Sequence, residues 1–341
     1  MKRIAMIGLG MAVKPHAQSL IDLSDRVTIA AAYSPTPARR AQFADSYGLP
    51  VVESVDAIFD DGSIDAVLIL TPPNTHLELV QRAAASGKHI LLEKPLEIST
   101  AKAEALVAAA DTAGVTLGVV LQNRFRAGSL KLSETLAAGR LGTLIATSMR
   151  LHNWRPQSYY DEPGRGTLAR DGGGVLLTQA IHPIDLLIAF AGLPAEVSAY
   201  ATTSPVHRME TEDLVAAALR YENGALGTIS ATTAAYPGFA EEITIIGESG
   251  SATLSGGTLT ARFSDSTSLE AAEPDSGSGT GADPMGFKHD HHKALITDFL
   301  DAIESGGIPK ISGHDALKAH DLVDALLASA STGMPHKVQR R

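Results

Sequence analysis

Short apolar runs alternate with helical patterns over residues 1–122. Six of these runs are rich in β-branched residues and too short for helices, which predicts strands buried on both faces. They are Ile4–Ile7, Val27–Ala32, Val51–Val52, Ala66–Leu70, Ile90–Leu92 and Leu117–Leu121. Between them, apolar residues recur at the spacing of an amphipathic helix, as at Leu106, Val107 and Ala110 after a candidate N-cap at Ser99. This strict alternation predicts an α/β fold with a doubly wound parallel sheet.

Residues 123–341 follow a different pattern, because long alternating strands succeed one another with few helices between them. The candidate strands are Thr143–His152, Glu196–Thr203, Asp213–Tyr221, Ala225–Thr233, Glu241–Ile246 and Ala252–Phe263. A turn at Glu222-Asn223-Gly224 joins two of them. We therefore expect a second α/β domain with a large, open, mostly antiparallel sheet. A broad sheet with one uncovered apolar face is expected to self-associate, as a homodimer or homotetramer.

The last part of the chain combines an aperiodic segment with two helical patterns. Ser264–Met285 is rich in Gly, Ser and Asp and is predicted to be a mobile loop near a site. Two apolar stripes then predict amphipathic helices, one through Ile296 and Ile303 and one through Leu322 and Leu326. We expect these helices to pack back toward the first domain.

Composition and charge exclude several classes of function. The 341 residues are 44% hydrophobic and 19% charged, as in an ordinary globular protein. A net charge of −10 without a basic run argues against nucleic-acid binding. The absence of cysteine excludes disulfides, Cys-ligated metals and thiol nucleophiles. Neither a signal peptide nor an apolar run of about 18 residues is present, so we expect a soluble cytoplasmic protein without membrane contact.

The segment after the first predicted strand carries the first candidate site. Gly8 and Gly10 stand between a strand and a helical pattern, where backbone N–H groups can approach a pyrophosphate at a helix N-terminus. The third glycine position of this fingerprint is Val13, which weakens it. The alternative is a tight strand-to-helix turn that binds no ligand.

The end of the second predicted strand suggests which dinucleotide would bind. No Asp or Glu, the usual partner of the NAD ribose, occurs from Arg26 to Gln42. Ser34, Thr36 and Arg39 instead offer hydroxyls and a guanidinium that suit a ribose 2′-phosphate. The hypothesis is that NADP is preferred over NAD, and the alternative is that the arginines are a solvated helix start.

Two further predicted strands end in polar residues, at the sheet edge where open α/β proteins bind ligands. One runs into Thr71-Pro72-Pro73-Asn74-Thr75-His76 and the other into Glu93-Lys94-Pro95. Partial burial would lower the pKa of Lys94 and allow it to exchange a proton near neutrality.

With these residues in view, the chain resembles the Gfo/Idh/MocA oxidoreductases over nearly its whole length. The motifs that carry the resemblance are Gly8-x-Gly10, Thr71–His76, Glu93-Lys94-Pro95, Gly172-Gly173-Gly174, Gln179–Asp185 and Asp298–Ile303. The resemblance implies an N-terminal Rossmann domain, a C-terminal α/β domain with an open sheet, and NAD(P)-dependent redox chemistry on sugars or cyclitols.

The resemblance also implies roles for individual residues. Lys94 would be the catalytic lysine that contacts the substrate hydroxyl, with His182 as its partner. The expected cofactor contacts are Gly8, Gly10, Met11, Ser34, Thr36, Arg39, Thr71, Pro72, Asn74, His76, Glu93, Lys94 and Gln122. The expected substrate contacts are Lys94, Arg124, Thr178, Gln179 and His182. A packed helix histidine and an interdomain salt bridge are the alternatives for His182 and Arg124.

This chain departs from the family pattern four residues before His182. Many members carry Asp there and some carry Asn, one helical turn from the histidine, whereas this chain has Thr178. Asp185 could supply the carboxylate from the other side, or it could be an exposed helix residue. No metal is expected, because the run Lys288-His289-Asp290-His291-His292 lacks an identifiable third and fourth ligand.

These observations favour an NADP(H)-preferring oxidoreductase that interconverts a secondary alcohol and a ketone on a sugar, cyclitol or related polyol. Lys94 and His182 would handle the proton. The alternatives are a reductase of a non-sugar carbonyl or double bond, and a regulator that binds NAD(P) without catalysis.

Overall fold

The computed structural model describes residues 1–272 and 288–340. They form two compact units, one of residues 1–122 with 288–317 and the other of 123–272 with 318–340. Within these ranges no helix has both the length and the apolar character that crossing a membrane requires.

Strands and helices alternate over the first 122 residues, with two consecutive helices between the second and third strands. In chain order the elements are β1 (Lys2–Ile7), α1 (Val13–Asp22), β2 (Val27–Tyr33), α2 (Pro37–Tyr47), α3 (Asp56–Phe59), β3 (Ala66–Ile69), α4 (His76–Ala85), β4 (His89–Glu93), α5 (Thr100–Ala113) and β5 (Leu117–Val120). The strands form one parallel sheet in the order β2-β1-β3-β4-β5. All four residues of β3 are buried, as expected for a strand covered on both faces.

Five strands form in this region and not the six that the sequence predicts, because the predicted strand Val51–Val52 does not form. Val51 makes a single bridge to Ala32, and Val52 donates one hydrogen bond to the Ala32 carbonyl at 3.0 Å. Pro50 lacks an N–H, so the ladder cannot extend backward from this point. The predicted N-cap is confirmed, because the Ser99 side chain accepts the Lys102 backbone N–H.

The rest of the chain is dominated by a second sheet. In chain order, the elements of residues 123–272 and 288–340 are α6 (Ala127–Ala137), β6 (Leu144–His152), α7 (Gln157–Tyr160), α8 (Val175–Thr178), α9 (Ile181–Ala191), β7 (Glu196–Thr202), β8 (Leu214–Arg220), β9 (Leu226–Thr232), β10 (Glu242–Gly247), β11 (Gly250–Ser255), β12 (Thr258–Phe263), β13 (Ser268–Ala271), α10 (Asp290–Ser305), α11 (Gly313–Thr332) and β14 (His336–Lys337). Of these, α10 belongs to the first unit, and α11 contributes residues to both.

The second sheet has nine strands in the order β13-β12-β11-β10-β6-β9-β8-β7-β14. Every neighbouring pair is antiparallel except β6 and β9, which confirms the mostly antiparallel prediction. The two edge strands are the shortest, with four residues in β13 and two in β14.

Two sequence predictions need correction here. The single strand predicted over Ala252–Phe263 is a hairpin of β11 and β12, because Gly256 and Gly257 take φ values of +56° and +94° and turn the chain. The mobile loop predicted over Ser264–Met285 includes β13, which pairs with β12. Residues 273–285 of that prediction lie outside the described residues.

Candidate active site

The glycine turn after β1 leaves no room for a side chain at its first position. Gly8 has φ +104°, and a Cβ there would lie 2.7 Å from the carbonyl carbon of Leu70. A Cβ on Gly10 would meet no atom within 4 Å, and α1 begins three residues later at Val13. The backbone is closely packed at Gly8 and open at Gly10. This arrangement fits a dinucleotide pyrophosphate at the start of α1. Met11 beside this turn is 50% exposed.

The two arginines that follow β2, Arg39 and Arg40, have different surroundings. Ser34 is buried, and its hydroxyl accepts the Thr36 backbone N–H at 3.3 Å. Arg40 donates to the Ser34 carbonyl at 2.6 Å, so it stabilises the turn itself. Thr36 and Arg39 are exposed, which leaves the Arg39 guanidinium accessible to a ligand phosphate.

A buried histidine joins the carboxyl ends of β3 and β4. Its Nδ1 lies 3.0 Å from the Pro95 carbonyl and 3.1 Å from that of Leu96, and its Nε2 lies 2.8 Å from the Thr71 carbonyl. This residue, His76, is fully buried, and burial lowers its pKa. A direct cofactor contact, as the sequence predicts, would require its ring to leave these bonds. Pro72 and Asn74, by contrast, are exposed.

Lys94 follows directly on the last residue of β4. Glu93 accepts a hydrogen bond from the Lys94 backbone N–H at 3.0 Å through one carboxylate oxygen. Its other oxygen lies 2.9 Å from Nε2 of His16 on α1. Burial alone would raise the pKa of Glu93, but the hydrogen bond from His16 and the nearby charges of His16 and Lys94 hold that pKa below its usual value. Glu93 is therefore an ionised carboxylate beside the lysine.

Gln122 follows β5, in a 3-10 turn over Gln122–Phe125. Its amide oxygen is buried, and no hydrogen-bond partner for it is found among residues 1–272 and 288–340. A buried acceptor of this kind suits a donor group on a bound ligand, such as a carboxamide. This geometry fits the predicted place of Gln122 near a nicotinamide.

The histidine run at the start of α10 contributes to a buried cluster that the sequence did not reveal. His292 is buried, and its ring meets that of His16 edge to face with centroids 4.9 Å apart. Candidate ligand atoms of His16, Glu93 and His292 all lie within 4.8 Å of one another. Burial, with His16 nearby, lowers the pKa of His292 to about 3. His289 instead pairs with Asp22 at 2.8 Å. His16 was missed because one polar residue on an apolar helix face has no distinctive sequence signal.

In the second unit, Thr178 and His182 do not share one continuous helix. The helix α8 ends at Thr178, and α9 begins at Ile181 after an irregular residue, Gln179, with φ −114° and ψ −48°. The helical turn expected between Thr178 and His182 is therefore interrupted at two residues, 179 and 180. The Thr178 hydroxyl donates to the Gly174 carbonyl at 2.6 Å.

Two cations surround Tyr159 near Gln179. The guanidinium groups of Arg155 and Arg165 lie 5.6 and 4.2 Å from the centre of the Tyr159 ring. The Tyr159 hydroxyl accepts from Arg165 at 2.8 Å and lies 3.4 Å from the Gln179 side-chain nitrogen. Asp185, on α9, is buried and ion-paired with Arg124 of the same unit, so the alternative of an exposed Asp185 was wrong.

Comparison with known proteins agrees with both halves of this architecture. Residues 2–121 match the oxidoreductase family with an NAD-binding Rossmann fold, and residues 129–253 match the GFO/IDH/MocA C-terminal domain. The chain belongs to the Gfo/Idh/MocA family. The fold class predicted from the sequence is thereby confirmed as the Rossmann and open-sheet arrangement of this family.

Relatives of known activity cover most of the chain. Inositol 2-dehydrogenase of Rhizobium meliloti is 27% identical over 343 residues, covering 96% of this chain and 97% of the relative. D-xylose 1-dehydrogenase (NADP(+)) 2 of Haloferax volcanii is 26% identical, covering 89% and 90%. The WlbA dehydrogenase from Bordetella pertussis, solved in complex with NADH and UDP-GlcNAcA, is 28% identical with a TM-score of 0.86 and covers 100% of both chains. The first two of these relatives are thus named as dehydrogenases of a cyclitol and a sugar, and the third is a dehydrogenase solved with a nucleotide sugar.

Proposed function

We propose that this protein is an NAD(P)-dependent dehydrogenase that interconverts a secondary alcohol and a ketone on a sugar, cyclitol or related polyol. The observation that carries the proposal is the lysine turn at the carboxyl edge of the parallel sheet, where Lys94 stands beside an ionised Glu93. Its family membership and the activities of its relatives support the same class.

The cofactor would bind at the glycine turn and the neighbouring strand ends. Gly8 and Gly10 would admit the pyrophosphate, and Gln122 would offer its buried amide oxygen to the nicotinamide. When bound, the dinucleotide accepts a hydride from the carbinol carbon or returns it. Thr71, Pro72 and Asn74 would line the surface between these two ends.

Proton transfer falls to the residues of the chain itself. In the oxidation direction Lys94, as the free amine, would take the proton of the substrate hydroxyl, and in the reverse direction its ammonium would supply that proton. We propose His182 as the second proton-handling residue, with Thr178, Gln179 and Arg124 contributing hydrogen bonds to the polyol.

We further propose that NADP is preferred over NAD. The exposed Arg39 and the hydroxyls of Ser34 and Thr36 would meet the ribose 2′-phosphate. One relative is named for NADP and another was solved with NADH, so either cofactor occurs among similar chains.

The uncovered face of the nine-stranded sheet is our proposed site of self-association, in a cytoplasmic homodimer or homotetramer. Tyr200, Leu214, Leu226 and Ile246 share this face and are 82%, 40%, 59% and 41% exposed. A second copy of the chain would bury this apolar surface.

Formation of reduced cofactor, followed at its absorbance band, tests the proposed function. Wild type and Lys94→Ala are compared with aldoses, inositols, sugar acids and nucleotide sugars, each with NADP and NAD. Lys102→Ala, which removes a half-exposed lysine of the same unit, is the matched control. We expect turnover that Lys94→Ala abolishes while dinucleotide still binds. Near-native turnover by Lys94→Ala would remove Lys94 from the mechanism, and tight cofactor binding without any turnover would favour a regulator.

A further inference from the structure

The turn that carries Lys94 is connected to α1 through two consecutive hydrogen bonds. His16 on α1 approaches one Glu93 oxygen at 2.9 Å, and the other Glu93 oxygen accepts the Lys94 backbone N–H at 3.0 Å. The side chain of His16 has no exposed surface, and that of Glu93 is 14% exposed. A single buried imidazole thus connects the helix that follows the glycine turn to the residue before the lysine.

The charge of Glu93 fixes the direction of the first bond. Because an ionised carboxylate can only accept, His16 must donate through Nε2–H. Its other ring nitrogen, Nδ1, is buried and has no hydrogen-bond partner among residues 1–272 and 288–340. The bond to Glu93 is therefore the polar contact that orients this ring. The edge of the His292 ring packs against it from α10.

We propose that His16 is a positioning residue for Lys94, acting through Glu93. The proposal rests on the proposed function, in which the Lys94 amine takes the substrate proton. By holding the Glu93 carboxylate, His16 fixes the backbone at Lys94 and keeps a negative charge beside its ammonium. His76 holds the following two carbonyls, those of Pro95 and Leu96, so the lysine turn is held at both ends.

The reactivity of the Lys94 amine tests this role without requiring a substrate. Full-length protein is labelled with a trace of acetic anhydride at pH 8, and peptide mass spectrometry gives the Lys94 labelling relative to Lys131, a partly exposed lysine of the second unit. In His16→Leu, the Glu93 oxygen that faced His16 is buried and has lost its hydrogen bond, which raises the pKa of Glu93. A protonated Glu93 no longer places a negative charge beside the Lys94 ammonium. We expect Lys94 labelling to rise about three- to tenfold because its pKa falls.

Two further variants make the result specific. His16→Gln keeps an N–H donor of similar reach, and we expect Lys94 labelling within about twofold of wild type. His320→Leu makes the same exchange at another buried histidine, on α11, and should leave Lys94 labelling unchanged. Unchanged Lys94 labelling in folded His16→Leu, or equal effects of Leu and Gln, would overturn the proposal. If His16→Leu fails to fold, His16→Asn takes its place in the comparison, because the asparagine amide is too short to reach Glu93.

Steady-state kinetics separate this inference from the proposed function. With a substrate found in the panel, His16→Leu should lower kcat about tenfold or more and leave the dinucleotide KM within about twofold. A rise in KM with unchanged kcat would contradict a positioning role. If Lys94→Ala retained turnover, the proposed role of Lys94 in proton transfer would fail, while the labelling result would still decide whether His16 controls the reactivity of the lysine.

A metal ion is the competing occupant of the same cluster. The donor atoms of His16, Glu93 and His292 lie close enough to share a divalent cation, which would replace the hydrogen bond by coordination. Titration of wild type with zinc sulfate decides between the two. Stoichiometric zinc binding that His16→Leu abolishes would overturn the proposal, whereas no such binding supports the hydrogen-bonded arrangement.

Discussion

Asp185 receives the guanidinium of Arg124 through both of its carboxylate oxygens. Arg124 Nε lies 2.8 Å from Oδ2 and Nη2 lies 2.6 Å from Oδ1, which is the two-point geometry that favours arginine over lysine. The Asp185 side chain is 2% exposed and that of Arg124 is 13% exposed. Asp185 lies three residues after His182 on α9, so the ion pair connects Arg124 to the helix that carries the proposed partner of Lys94.

Removing the charge of Asp185 should destabilise the second unit. Asp185→Asn leaves a mostly buried guanidinium without its counter-ion, which typically costs about 3 kcal/mol of unfolding free energy. Urea denaturation measures the loss. The double variant Arg124→Met with Asp185→Leu removes both charges and should be less destabilised than Asp185→Asn. A double variant whose loss equals or exceeds that of Asp185→Asn would show that the pair is not coupled as described.

Alanine at the two glycines of the first turn should separate folding from cofactor binding. Gly8→Ala places a methyl group 2.7 Å from the Leu70 carbonyl carbon at φ +104°, so we expect a lower melting temperature and weaker dinucleotide binding. Gly10→Ala meets nothing within 4 Å, so its melting temperature should match wild type while NADPH binding weakens about tenfold or more. Thermal unfolding and fluorescence titration with NADPH measure both. Wild-type NADPH affinity in Gly10→Ala would contradict the proposed pyrophosphate position.

Arg39 should determine the preference between the two dinucleotides. Its exposed guanidinium is the proposed contact of the 2′-phosphate, and a hydrogen bond between charged groups contributes about tenfold or more in affinity. Arg39→Ala should therefore weaken NADPH binding and leave NADH binding unchanged. Arg40→Ala is the control, since that side chain bonds the Ser34 carbonyl of its own turn. An unchanged ratio of NADPH to NADH affinity in Arg39→Ala would refute the preference.

Two adjacent buried residues of α11 should respond oppositely to acid. Burial lowers the pKa of His320 to about 4, so the unfolded chain binds the extra proton as the pH falls from about 6.5, and stability decreases. Burial and Asp324 raise the pKa of Asp321 to about 6, so the folded chain binds the extra proton between about 6 and 3.8, and stability increases. The two effects oppose each other between pH 6 and 4.

Single variants should reveal each effect. From pH 6 to pH 5, the unfolding free energy of His320→Leu should shift by about 1 kcal/mol in the stabilising direction relative to wild type. Asp321→Asn should shift in the destabilising direction. Urea midpoints at the two pH values provide the measurement, and parallel pH profiles of wild type and both variants would contradict the opposed effects.

A charge on the open sheet face should disrupt self-association. Leu226 is 59% exposed on β9, so Leu226→Asp should leave the monomer folded while placing a carboxylate in the proposed interface. Sedimentation velocity at micromolar concentration should show an oligomer for wild type and a smaller species for the variant. Thr228→Asp, on an exposed position of the same strand, tests how far the interface extends. A wild-type monomer under these conditions would contradict the proposal.

Hydrophobic period and turn chemistry were sufficient to predict most of the fold. The apolar runs of β1, β3 and β4 and the capped α5 were identified because each has a strong local pattern. The hairpin of β11 and β12 was read as one strand, because its period continues across two glycines whose positive φ the sequence alone does not reveal. The two-residue β14 has too short a pattern to predict.

The candidate site was predictable only where a residue stands in a recognisable motif. Lys94 and the glycine turn belong to such motifs, whereas His16 contributes through a contact with Glu93, which lies far away in the chain. Thr178 and His182 are four residues apart, which suggested one continuous helix, but α8 ends at Thr178 and α9 begins only at Ile181. Spacing along a sequence predicts a shared face only when the helix is continuous.

The nine-stranded sheet ends on both sides in its shortest strands, β13 and β14. A sheet edge presents unpaired N–H and C=O groups that can recruit a strand from another molecule, and this hazard grows with the length of the edge. Strands of four and two residues offer few such groups. We therefore expect copies of the chain to associate through side chains on the broad face of the sheet and not by pairing edge to edge into an open-ended polymer.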